Sequence, residues 1–233
     1  MRIQPEHNSV SIVLVGSLNA AIFHPAWFGA NNLLSKEDVD SAEVELIHRE
    51  IAAFKVGDWL RVRVETNRFI AETSEPPFVR LSDLVVRTFG EALTHTPISQ
   101  LGINRQVHFS VGDEAARNRI GQILAPQEAW GEWASGIAGK KDGKHGGMIS
   151  LTMAQENLDD REVGRIRAKV EPSVLIKDNS GIFVEINDHY EISDKAALDG
   201  AIRITGILGR QFDISILRSE WIIDQVMALK EKV

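Results

Sequence analysis

The chain has 233 residues and a formal net charge of −7, with 43% hydrophobic and 25% charged residues, enough to bury a globular core without staples. It has no cysteine, which excludes disulfides, iron–sulfur clusters, zinc–thiolate sites and thiol nucleophiles and favours a cytoplasmic location. The N-terminal residues lack the pattern of a signal peptide, no apolar run approaches the roughly 20 residues of a membrane span, and the acidic balance disfavours a surface coated by nucleic acid.

The first strong signal is the β-branched run Ser9 to Gly16, which predicts a strand. Asn19 is a capping candidate, and Ala20 to Phe28 reads as a turn leading into a short helix with Pro25 in its first turn. Ser35-Lys36-Glu37-Asp38 has the form of a helix start, with acids in the first turn. Glu43 to Phe54 and Trp59 to Glu65 are read as two strands joined at Gly57-Asp58, with a third from Arg68 to Thr73. Pro76-Pro77 opens a helix in which Phe78, Leu81, Leu84, Val85, Phe89 and Leu93 recur at helical spacing. Ile98 to Val111 is a strand. Gly112-Asp113 opens a helix with Ala116, Ile120, Ile123 and Leu124 on one side. The glycine- and lysine-rich stretch from Gly136 to Gly147 reads as a loop. Strands are then expected at Met148–Gln155, Arg165–Ile176 and Ile182–Ile192. Ser193-Asp194 caps a helix running to about Phe212, and a second helix runs from Asp213 to about Lys230 with Trp221 as its most buried residue.

Two segments repeat a pattern. Trp59-Leu-Arg-Val-Arg-Val-Glu65 and Arg165-Ile-Arg-Ala-Lys-Val-Glu171 both alternate basic and apolar residues, and both are followed by an apolar pair ending at Ile70 and Ile176. Each half of the chain runs strand, helix, antiparallel strands, helix. The expected fold is α+β: one continuous domain of two pseudo-symmetric halves, residues 1–97 and 98–233, forming a curved antiparallel sheet with helices on one face. This element order resembles the duplicated, saddle-shaped fold of the TATA-binding-protein-like family, although none of that family's DNA-reading motifs is present.

Alternation assigns the sheet faces. Leu60, Val62, Val64, Ile166, Ala168, Val170, Ile182, Val184 and Ile186 point to the core, as do Ile149, Leu151 and Met153. Leu101, Ile103, Val107 and Phe109 join them if Arg105 is an edge or bulge exception. The opposite face then carries Arg61, Arg63, Arg165, Arg167 and Lys169 as a basic stripe, with Glu65, Glu171 and Glu185 among them and Asn187 and His189 alongside. These cations with Asn187 and His189 are the candidate binding residues. His108, Phe183 and His189 are available for stacking on a base.

No catalytic residue is assigned. Asn187-Asp188-His189-Tyr190 is the densest polar cluster and could hold a general base, and Glu171 with Glu185 could form an acid–base pair. Both are outweighed by a solvated sheet face with charges paired across strands. Gly139-Lys140-Lys141-Asp142-Gly143-Lys144 lacks the strand and helix flanks of a phosphate-binding loop. No metal-binding spacing occurs, and neither a metal nor a cofactor is expected. Trp27, Trp130 and Trp133 are read as packing residues.

Leu101-Gly102-Ile103-Asn104-Arg105, the strand–turn–strand from Trp59 to Ile70 and the ending Phe212-Asp213-Ile214 resemble a sporadically distributed, uncharacterised bacterial family of about this length. That resemblance implies no activity, only a role associated with defence or mobile elements. The expected function is that of a non-catalytic interaction protein with a protein partner. The alternative is a nucleic-acid binder using the basic sheet face; neither oligomeric state nor a membrane association is implied.

Overall fold

The computed structural model describes residues 3–137, 140–141, 144–195 and 197–232. β1 (His7–Gly16) leads through a 3₁₀ turn at Ala20–Ile22 to α1 (Pro25–Ala30) and α2 (Lys36–Asp40). β2 (Ala42–His48), β3 (Ile51–Val56), β4 (Leu60–Glu65) and β5 (Arg68–Thr73) follow as a meander, and then α3 (Val79–Arg87). β6 (Ile98–Ser110), α4 (Glu114–Leu124) and α5 (Ala134–Ile137) come next, followed by the short pair β7 (Lys140–Lys141) and β8 (Lys144–His145). β9 (Leu151–Gln155), β10 (Val163–Pro172), β11 (Gly181–Glu191) and α6 (Gly200–Met227) complete the order.

Nine strands form one antiparallel sheet in the order β2-β3-β4-β5-β1-β6-β11-β10-β9. β1 and β6 pair at its centre over nearly their whole lengths, and each is flanked by the strand that precedes the next long helix, β5 and β11. The mixed α+β class is as expected. Among the described residues, no helix is long and apolar enough to cross a membrane.

Local signals set several boundaries. His24 caps α1, with Pro25 in its first turn, and Asn19 caps the 3₁₀ turn before it. Ser35 and Asp38 form a reciprocal capping box on α2. Asp113 caps α4 by accepting the Ala116 N–H at 2.7 Å. The run Glu43 to Phe54 is two strands, not one, because it turns at Arg49-Glu50 into the β2–β3 hairpin. Residues 174–176 are not the counterparts of Phe69-Ile70. They lie in the connection after β10, where the Ser173 hydroxyl accepts the Leu175 and Ile176 N–H groups, whereas Phe69 and Ile70 lie in β5.

The core lies between the sheet and the helices in two apolar clusters. One gathers Phe23, Phe28, Phe54, Phe69, Leu81, Val85 and Phe89 with Leu60, Val62 and Val64. The other gathers Val107, Phe109, Ile120, Ile166, Val170, Val184, Ile223 and Met227. α6 spans both as one 28-residue helix without a break at Phe212-Asp213. Its buried face runs Ala201, Ile204, Leu208, Phe212, Ser215, Ser219, Ile223 and Met227, so two serines occupy the middle where the clusters separate. Trp221, expected to be the most buried residue of this segment, is 63% exposed. It lies on the helix side facing away from the sheet.

A polar seam fills the gap between the clusters. Arg105 is no bulge exception: the β6 register is continuous through it, and its side chain points to the core at 2% exposure. It donates to the Ser9 and Gln106 carbonyls and lies 5.0 Å from the Phe78 ring centre. Its nearest carboxylate, Glu220, is 3.8 Å away, and its Nε has no partner. Burial pulls its pKa down and Glu220 opposes this. A buried guanidinium so weakly compensated contributes little net stability. Arg105→Met, similar in shape and apolar, is therefore expected to leave stability unchanged or raise it by about 1–2 kcal/mol, read from the urea midpoint. A loss above about 2 kcal/mol would mean that the two carbonyl contacts outweigh the desolvation of the guanidinium.

Candidate functional site on the open sheet face

Alternation carries one set of side chains from every strand onto the face without helices. The register aligns them in rows across the sheet. One row reads Arg63, Ile70, Val13, Gly102, His189, Arg165. The next reads Arg61, Glu72, Ser11, Asn104, Asn187, Arg167. Over the central strands these rows line a depression of about 600 Å³. Its floor is Gly102, where a Cβ would meet Asn187 Nδ2 at 3.1 Å and Val13 Cβ at 3.8 Å. Ile70, Val13 and Val15 make one side, half-buried and apolar. Asn187, His189, Arg165 and Arg167 make the other. Polar side chains link the two: Arg167 donates to Asn187 Oδ1 at 3.3 Å, Asn187 donates to Asn104 Oδ1, and Asn104 donates to the Ser11 hydroxyl at 3.1 Å.

The candidate residues Arg61, Arg63, Arg165, Arg167, Lys169, Asn187 and His189 all share this face. They do not form one stripe, because four strands stand between β4 and β10. Most of the cations are engaged. Arg61 holds Glu45 at 2.6 Å, and Arg63 holds Glu65 at 2.8 Å. Arg165 lies 3.7 Å from Glu156, and Lys169 lies 3.4 and 3.7 Å from Glu171 and Glu185. Lys169 thus stands between the two glutamates that could have made an acid–base pair. Arg167 alone of the five has no carboxylate within salt-bridge distance among the described residues. His108 and Phe183 lie against each other, ring centres 4.7 Å apart, and His108 Nδ1 is 2.8 Å from the Ser173 hydroxyl. Burial holds the His189 pKa below its usual value; Glu191 pulls it up, while Arg165 and Arg167 add to the depression.

The cluster Asn187-Asp188-His189-Tyr190 is two features, not one. The strand period sends Asn187 and His189 to the open face and Asp188 and Tyr190 into the core. Asp188 is fully buried and is the hub of a network that the sequence reading missed. Arg161 donates to Asp188 Oδ1, and Arg218 to Oδ2 at 2.9 Å. The Ser215 hydroxyl donates to Oδ2 at 2.6 Å, and Tyr190 lies 3.4 Å away. Asp160 closes the ring by accepting from Arg161 and Arg218. Arg161 lies 3.8 Å from the Tyr190 ring centre. Only one signal in the sequence hinted at this hub: a charged residue at the inward phase of an otherwise apolar strand.

The expected apolar assignments fail at the sheet's end and on two helices. Ile149 precedes edge strand β9, Met153 lies in it, and both are well exposed, because among the described residues β9 is the last strand of the sheet on that side. Ile123 is exposed on α4, while Ala116 and Ile120 are buried. Trp130 and Trp133 are more than half exposed and pack on each other with ring centres 5.5 Å apart; Trp27 packs partly into the core. Lys140–Lys141 pairs with Lys144–His145, while Gly139, Asp142 and Gly143 lie outside the described residues. Among the described residues no group of three or more His, Cys, Asp or Glu side chains is placed to hold a metal ion. A scan against protein-family models and a search of curated proteins both found no match to the chain.

Proposed function

We propose that the chain is a non-catalytic binding protein that acts through a protein partner. One observation carries this reading: Ile214, Leu217 and Trp221, spaced i, i+3 and i+7, present a continuous apolar stripe on the outer side of α6, at 48%, 68% and 63% exposure. Arg210 and Asp224 continue the same heptad positions at either end. An apolar stripe of this spacing with charged ends is what an amphipathic helix of another protein recognises, and exposed tryptophan is the residue type most enriched at binding hot spots.

A photo-crosslinker at position 217 is expected to capture one defined protein in the native host. That protein, purified, should bind the chain, and Trp221→Glu should abolish binding without lowering the melting temperature, because the indole contributes little to the fold. Exclusive crosslinking to a second copy, or undiminished binding by Trp221→Glu, would remove this reading.

The alternative, nucleic-acid binding, is favoured by the clustering of cations on the open face. If all five cations met phosphates, the salt slope could reach roughly −4. The carboxylates beside four of them, Glu45, Glu65, Glu156, Glu171 and Glu185, neutralise the patch and would repel phosphates, which predicts instead no measurable affinity for duplex DNA at physiological salt. A filter-binding titration decides it. Strong salt-dependent binding that is lost on combining Arg61→Glu with Arg167→Glu promotes the alternative.

We also infer a duplicated origin of the saddle-like kind, with its halves at 1–97 and 98–233. It is supported by the central pairing of β1 with β6 and by the equivalent places of β4 and β10, each second outward from its own half's central strand. A role in a defence or mobile-element module stays with the resemblance of the Leu101–Arg105 motif and is part of this proposal.

A further inference from the structure

The depression on the open face has a chemistry that its solvated surroundings lack. Along the central row the surface changes from apolar (Ile70, Val13) through bare backbone (Gly102) to polar and cationic (His189, Arg165) within a few strands. The charges nearby are not equally available. Glu185 is taken by Lys169, Glu191 by Lys195 at 3.0 Å, and Arg165 by Glu156, while Glu72 and Arg68 flank Ile70 at the apolar end of the depression, away from Arg167. Arg167 has no carboxylate partner among the described residues, and its guanidinium reaches inward over β11 to Asn187. From β11 to β1 is two strand spacings, about 10 Å. His189 and the amides of Asn187 and Asn104 border that span. Its far end is the half-buried patch of Val13, Val15 and Ile70. A side chain at position 102 would fill the gap between the two ends.

We propose that this depression binds an apolar group carrying a carboxylate, with the anion on Arg167, hydrogen-bonding parts over Asn104 and Asn187, and the apolar part on Val13, Val15 and Ile70. A guanidinium with no competing carboxylate is the group that takes a carboxylate by two parallel hydrogen bonds. A span of about 10 Å suits a single residue-sized acid, and the volume falls within the range of small-ligand sites. Two sources present this chemistry: the free C-terminus of a peptide ending in an apolar residue, and a free organic acid. In the first case the site deepens the protein-partner reading by naming what is recognised; in the second it is independent of that reading.

The test uses the full chain and two-dimensional amide NMR with N-acetyl-L-phenylalanine at millimolar concentration, with its C-terminal amide as comparison. The acid should shift the amide signals of residues 11–15, 100–104 and 187–189, and the amide should not. Arg167→Gln should weaken the acid about tenfold or more, the loss of the charge-assisted pair of hydrogen bonds. Gly102→Val should block it. Arg203→Gln, exposed on α6 and outside the depression, should leave it unchanged. A hexapeptide ending in phenylalanine that binds tighter than the single residue identifies a peptide C-terminus. Phenylpropionate binding as well as the peptide identifies a free acid. Equal binding of acid and amide, or shifts confined to the Trp130–Trp133 surface, overturns the proposal, as does an unchanged affinity in Arg167→Gln with a retained melting temperature. Failure here leaves the α6 crosslinking result standing, so the two readings fail separately.

Discussion

Truncation of Phe89 to alanine is expected to cost about 3–5 kcal/mol of stability. The ring is fully buried, packs edge-on against Phe69 with centres 5.0 Å apart and lies 6.1 Å from Phe23. It descends from the turn after α3 at the point where α3, α6 and the sheet meet, so three elements lose contacts at once. None of them can collapse inward without leaving its register, because the sheet below is fixed by the β1–β5 pairing. The removed ring therefore leaves a cavity as well as a transfer loss. Urea unfolding at neutral pH measures it. A cost below about 1 kcal/mol would show that this aromatic cluster closes over the gap. The exposed Trp221 is the internal comparison: its truncation should fall within about 0.5 kcal/mol of the parent.

The contrast between Phe89 and Trp221 also marks what can be read in the sequence. Where a strand has neighbours on both sides, strict alternation is enough. It places Leu60, Val62 and Val64 in the core and Asn187 and His189 on the open face, so the face of the site was legible. Partner distance was not: Arg61 and Arg167 share a face and a row, but strand order is a tertiary fact. Ile149 and Met153 were misplaced because apolar character says nothing about whether a strand ends the sheet. On α6 the apolar residues Leu217 and Trp221 point outward while Ser215 and Ser219 point in. Small hydroxyl side chains let the helix approach the sheet beside buried Asp188, and a hydrophobicity pattern gives that preference no weight. Asp213 is where the sequence predicts a second helix to begin, yet neither proline nor a glycine turn precedes it, and the helix runs through. Gly206 and Gly209 lower helix propensity by about 1 kcal/mol each without ending it, since burial along the opposite side holds α6 in place.

The second large effect is expected at Asp188. Asp188→Ala leaves Arg161, 3% exposed and stacked on Tyr190, without its buried carboxylate and with only the His189 carbonyl, at 2.9 Å, to accept from its Nη1, and breaking a buried pair from one side costs about 3–5 kcal/mol. The lower end of that range is expected, because Asp160 still accepts from Arg161 and the quarter-exposed Arg218 can turn to water. The same ring sets the acid response. Hydrogen bonds from Arg161, then from Arg218, against an opposing burial contribution, lower the Asp160 pKa from 3.8 to about 2. Its folded-state value thus lies below its unfolded one, so its stabilisation is complete above about pH 4 and is lost as pH falls toward 2. The full contribution is about 2 kcal/mol at most, less with the carboxylate a quarter exposed. Burial also depresses the pKa of His108 and His189, which removes stability earlier, as pH falls through and below the ordinary histidine value of 6.5. Urea midpoints from pH 8 to pH 2.5 should therefore fall in two stages. Asp160→Asn should make the lower stage shallower without removing it, since Asp38 and Glu191 are also held below the usual carboxyl range, and should leave the histidine stage in place. An unaltered lower limb in Asp160→Asn would show that the ring is held by Asp188 alone.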